Sequence, residues 1–162
     1  MILKNIENTL QILEKIERAI ANLYGSFAVS DFFSDEVKRF WATMMAAELA
    51  HAELFKDIRE RYKHDKTIHI NLNFNTNHLI KSYQTIKNAQ QSIINRGLSE
   101  KNAYALGAKI EENLYEYSYS KRVNTNKKEI ADQIQKVEDE TKHHYFQLHN
   151  YSLEYKRPSR NK

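Results

Sequence analysis

The chain has 162 residues with three Gly, one Pro and no Cys, and 25 Lys and Arg against 21 Asp and Glu give a formal net charge of +4. That length suits one domain with a core of its own. Turn residues this sparse argue against a β-sandwich or barrel and for an all-α chain, and the lack of Cys excludes disulfides, thiolate metal sites, Fe–S clusters and cysteine nucleophiles. No apolar run approaches the roughly 18 residues of a membrane span, and Lys and Glu interrupt the first stretch, unlike a secretory signal. A cytoplasmic domain is expected, with no membrane and no nucleic-acid partner.

Leu3, Ile6, Leu10, Leu13, Glu17, Ile20, Tyr24 and Phe27 alternate by three and four, laying one stripe along a first long helix. Ser34, followed by Asp35 and Glu36, is placed to cap a second, whose stripe reads Val37, Trp41, Met44, Glu48, His51, Phe55, Ile58 and Tyr62. Two long helices with so short a join pack antiparallel. Ile68, Ile70, Leu72 and Phe74 then alternate with polar residues, a period of two that predicts an extended segment. A shorter amphipathic helix carries Leu79, Tyr83, Ile86 and Ile93 and ends near Gly97. Ser99 caps a third long helix, predicted from Glu100 to Arg122; Asn124, Thr125 and Asn126 make a turn; and a fourth helix is predicted from Lys127 to Tyr155. The expected architecture is a four-helix bundle over 1–155, two antiparallel hairpins joined by a long crossover with a short extra helix, followed by a basic tail at 156–162.

An internal repeat runs through this layout. Lys15-Ile16-Glu17 recurs as Lys109-Ile110-Glu111, an offset of 94, and Glu48-Leu49-Ala50-His51 recurs as Glu140-Thr141-Lys142-His143, an offset of 92. Each half thus supplies one lone Glu and one Glu-x-x-His on a helical face. Carboxylates on an apolar stripe are costly to bury unless paired or bound to metal. Four of them match the charge of two divalent cations, and with two imidazoles they form an oxygen–nitrogen set that suits iron or manganese. On α-helical geometry Glu111 lies nearer the apolar face than Glu112. On the fourth helix the spacing selects His143, whereas the apolar residues Ile130, Ile134, Val137 and Leu148 favour the side of His144.

With these residues the sequence resembles the ferritin-like di-iron carboxylate proteins, the rubrerythrin family most closely. The resemblance implies Glu17, Glu48, His51, Glu111, Glu140 and His143 as ligands of two iron ions, Fe/Fe or Fe/Mn, with no catalytic residue beyond them. It implies an oxidoreductase that reduces hydrogen peroxide or O2. Rubrerythrins proper add a rubredoxin domain whose iron is held by four Cys. With no Cys in this chain, an external electron-donor protein is expected. They also carry a further carboxylate three residues after the third-helix ligand, where Leu114 stands here. The alternative is a ferroxidase that stores or delivers iron; a di-iron oxygenase and a metal-free structural bundle are further readings.

Asp139 is placed either to accept from the distal N–H of His51 or to face solvent, and Tyr24 either to donate to a ligand carboxylate or to pack the core. Trp41, Met44 and Met45 read as core; His64, His69, His78 and His149 receive no role. Ten Tyr, clustered around Tyr115, Tyr117 and Tyr119, suggest an interface and a homodimer. No phosphate loop or nucleophile–base pair supports a nucleotide-binding or hydrolytic enzyme.

Overall fold

The computed structural model describes the backbone of residues 2–154 and the side chains of 6–94 and 97–154; the expected basic tail at 156–162 lies outside the described residues. Among these the elements run α1 (Ile2–Ala28), α2 (Asp35–His64), β1 (Ile70–Leu72), α3 (Thr76–Arg96), α4 (Glu100–Tyr115), α5 (Tyr119–Arg122), β2 (Val123–Thr125) and α6 (Lys128–Glu154). The chain is mostly helical, as its composition predicts.

α2 begins where the sequence places its cap. The Ser34 hydroxyl accepts from the Val37 amide at 3.4 Å, Asp35 and Glu36 occupy the first turn, and Arg61, Lys63 and His64 the last. Both ends therefore complement the helix dipole. α1 and α2 pack along their length. Glu14 pairs with Arg59 at 2.8 Å and Arg18 with Glu53, while Phe27 meets Trp41 with ring centroids 4.8 Å apart. Positions that rise on one helix fall on the other, so the pair is antiparallel. α4 and α6 pair in the same sense, Tyr104 against Tyr151 at one end and Lys142 over Tyr115 at the other.

The two hairpins meet through side chains. α2 faces α6 through Phe40 and Tyr151, His51 and Glu140, and Arg61 and Glu129. α1 reaches the second hairpin through Tyr24 to Glu111 and Glu17 to Tyr119. Each of these contacts again joins antiparallel neighbours. Between them lies a core of Leu13, Ile16, Ile20, Leu23, Trp41, Phe55, Ile58, Ile134 and Leu148, all 2% exposed or less. α3 crosses on α1 and buries Leu79 and Ile86. It ends at Gly97, whose φ of +70° suits glycine.

Two expectations need correction around residue 118. The third long helix does not reach Arg122: it ends at Tyr115, and Ser118 adopts a φ of +47° before the single turn of α5. The predicted turn at Asn124-Thr125-Asn126 is largely strand. β1 pairs antiparallel with β2, Ile70 opposite Thr125 and Leu72 opposite Val123. Arg122 fixes the break, its guanidinium donating to the Tyr117 carbonyl at 2.6 Å and the Asn73 carbonyl at 3.0 Å. The crossover is thereby fastened to the second hairpin.

A buried carboxylate and histidine cluster

Glu17, Glu48 and Glu111 are fully buried, and His51 and His144 are nearly so. They come from four helices: Glu17 from α1, Glu48 and His51 from α2, Glu111 from α4 and His144 from α6. Glu48 stands at the centre. Its Oε2 lies 3.0 Å from His51 Nδ1, and its Oε1 lies 2.8 Å from His144 Nδ1. The two imidazoles bracket one carboxylate, their rings 6.1 Å apart.

Two tyrosines cross this centre. Tyr24, from the first hairpin, donates to Glu111 Oε1 of the second at 2.6 Å. Tyr119, from the second, donates to Glu17 Oε1 of the first at 3.1 Å. Glu17 and Glu111 therefore hold equivalent places, each with one oxygen on a phenol from the other half. Glu17 Oε2 and Glu111 Oε2 make no hydrogen bond, nor does Thr141 Oγ1, and Glu48 Oε1 meets only His144 Nδ1, in the 2.8 Å contact. Leaving a buried polar atom unpaired costs about 1–3 kcal/mol, so several in one place call for a ligand.

The same atoms have the geometry of metal donors. Glu17, Glu48 and His51 each bring a ligand atom within 4.8 Å of the others, and so do Glu48, Glu111 and His144. Both groups are buried and they share Glu48. Three carboxylates and two imidazoles are a donor set of the kind first-row divalent metals accept. The donor set fits such metals.

Electrostatics agree with a site built for positive charge. Burial, together with the charge of Glu48, pushes Glu17 up to about 8, and Glu111 is held well above the usual carboxylate range by the same two causes. Burial opposes ionisation of Glu48 as well, but contacts with His144 and His51 overcome it and bring Glu48 down to about 2. Burial disfavours the charged form of His51, yet its bond to Glu48 and the surrounding carboxylates raise it to about 10. Without metal, protons take the place of cations.

Glu17, Glu48, His51 and Glu111 are brought together. Glu140 and His143 are placed differently from the ligand roles the resemblance implies. Glu140 sits at the rim with 41% of its side chain exposed, where it accepts from His51 Nε2 at 2.8 Å and pairs with Lys136. It occupies the position anticipated for Asp139, orienting the imidazole from its far side. Asp139 is exposed and accepts from Gln135 instead. His143 is exposed, and His144 enters the cluster. α6 turns toward the core the face that carries Ile130, Ile134, Val137 and Leu148, and His144 lies on it. The pair on this helix is thus Thr141 and His144, three residues apart. The sequence points to Tyr119 only as part of the tyrosine cluster and not as part of the site, although it follows Glu111 by eight residues much as Tyr24 follows Glu17 by seven. Tyr117 and Tyr119 are both buried, so the tyrosine run is occupied largely inside the molecule.

Compared with protein families, with curated proteins and with solved structures, the chain finds no match.

Proposed function

We propose that this chain is a ferritin-like four-helix bundle holding two iron ions, or iron and manganese, in a non-haem oxidoreductase centre of the rubrerythrin type. The observation that carries the reading is the pair of buried three-residue groups sharing Glu48, with one oxygen each of Glu17 and Glu111 that makes no hydrogen bond. Glu17 and His51 would hold one metal, Glu111 and His144 the other, and Glu48 both. Bound there, the pair supplies the two electrons needed to reduce peroxide, or to take O2 to peroxide, with an external donor protein restoring them.

The chain's own residues perform the supporting tasks. Glu140 holds the His51 ring by its far nitrogen, leaving Nδ1 turned to the centre. Tyr24 and Tyr119 fix the outer oxygens of Glu111 and Glu17, so that only one oxygen of each is free to bind. A groove of about 510 Å³ between α2 and α6, lined by Met44, Ala47, His143 and His144 among others, runs to the edge of the cluster. It is wide enough for a small oxidant, while the packed core keeps bulk water from the Glu17 side.

The test is metal content and turnover on the full chain. Protein loaded anaerobically with Fe(II) should hold about two metals and consume peroxide when a reductant is supplied. Glu48→Ala should lose both metals and turnover, because Glu48 belongs to both groups, while His143→Ala should keep both. A well-folded protein that takes up no metal would overturn the proposal. Iron oxidation without sustained turnover would move it to iron storage or delivery.

A further inference from the structure

The internal repeat, corrected by the structure, leaves one position unmatched. Glu17 corresponds to Glu111 at an offset of 94, and His51 to His144 at an offset of 93. The same offset of 93 takes Glu48 to Thr141. Thr141 lies one turn before His144 on the same face of α6, is 1% exposed, and its hydroxyl has no partner. Where the first half places a carboxylate between the two histidines, the second half places a hydroxyl on a side chain shorter by about the size of a carboxylate group.

Charge is short by the same amount. Inside the cluster Glu17, Glu48 and Glu111 contribute −3, the fourth carboxylate, Glu140, standing at the 41% exposed rim on the far side of His51, so two divalent cations would leave a buried excess of +1, which is costly in a dry site. We infer that the cluster takes a small monoanion of the carboxylate class beside Thr141, the hydroxyl donating to it and the anion standing in for the missing glutamate. Formate, acetate and bicarbonate share that chemistry. Arg39 lines the same groove as His144, and Glu36 lines it too.

This inference rests on the two-metal reading, and one experiment separates them. The full chain is loaded with Co(II) in buffer free of carboxylates, and metal uptake and the Co(II) absorption spectrum are followed as formate is added, with chloride at equal ionic strength as control. Formate should bind saturably at one per chain, change the spectrum, and tighten uptake of the second metal at least tenfold. Thr141→Val should fold, as judged by circular dichroism, and require at least tenfold more formate. Thr141→Glu should bind two Co(II) without formate and give a spectrum that formate does not change. Two metals bound equally well with and without formate, and a spectrum that does not respond, would overturn the anion seat. So would a single Co(II) per chain at every formate concentration, an outcome that leaves a metal centre standing but shows the charge shortage met by one metal fewer. No metal uptake under any condition overturns both readings.

Discussion

Tyr24 and Tyr119 each satisfy one oxygen of a carboxylate that has no access to water. Replacing either by Phe keeps the ring packing and removes only the donor. We expect Tyr24→Phe and Tyr119→Phe each to lower the stability of the metal-free protein by about 1–3 kcal/mol, read from urea midpoints. The pH dependence of the metal-free protein follows from its raised groups: Glu111, held well above the usual carboxylate range, adds in the same sense as Glu17 and His51, which set the window. Glu17, at about 8, keeps a proton that the unfolded chain gives up above its ordinary value of 4.5; His51, at about 10, keeps one that the unfolded chain gives up above 6.5. The folded state therefore binds more protons, and stability falls as pH rises from about 4.5, most steeply between about 6.5 and 8, where both contribute. Glu48, at about 2, works in the opposite sense and costs stability only as pH falls below 4.5. Thermal melts across pH 5–9 should decline toward the alkaline end, and bound metal should flatten that decline by replacing the protons.

The buried Glu residues were legible because a charged group on an apolar stripe breaks the pattern. Thr141 was not, because threonine on a helix face breaks nothing, and Glu140 beside it supplied the expected letters one position early. That single-residue slip moves a side chain by about 100° around a helix. It is the difference between a buried place in the cluster and the rim where Glu140 meets His51.

At the scale of elements, close approach explains what hydrophobic spacing does not. Gly107, on α4, lies where an added Cβ would come 2.9 Å from the Trp41 ring and 3.1 Å from Leu148. Both neighbours are fully buried and have little room to give, so Gly107→Ala should destabilise by about 1–3 kcal/mol through overpacking, against the usual gain from Gly to Ala in a helix. Ser118, with its φ of +47°, ends the α4 region in a conformation that glycine adopts more readily. Ser118→Gly should leave the melting temperature unchanged or raise it while keeping the Tyr119 bond. The apolar periodicity of α1, α2 and α6 runs through the whole helix and could be read directly. The break after Tyr115 could not, because Tyr117 and Tyr119 extend the list of aromatic residues without fixing a period, and Arg122, which stabilises it, also bonds Asn73, 49 residues away.

For the molecule as a whole, metal and fold should be thermodynamically linked. The five candidate ligands come from four helices and span Glu17 to His144, so the unfolded chain offers no preformed site. A metal that binds only the folded state raises stability with concentration, about 2.7 kcal/mol at a hundred times its dissociation constant. Titrating Mn(II) or Co(II) into the metal-free protein should shift the melting temperature progressively, and a chelator should reverse the shift. Glu48→Ala should abolish the dependence.

The crossed tyrosines impose a further condition on motion. A slide of one hairpin past the other by a single helical turn, about 5.4 Å, would break both phenol bonds at once and expose both carboxylates without their donors. Neither half can therefore loosen alone. Backbone amides of α1 around Glu17 and of α4 around Glu111 should exchange with deuterium through one shared opening event, at matching protection, while α3, which lies outside the seam, exchanges on its own schedule.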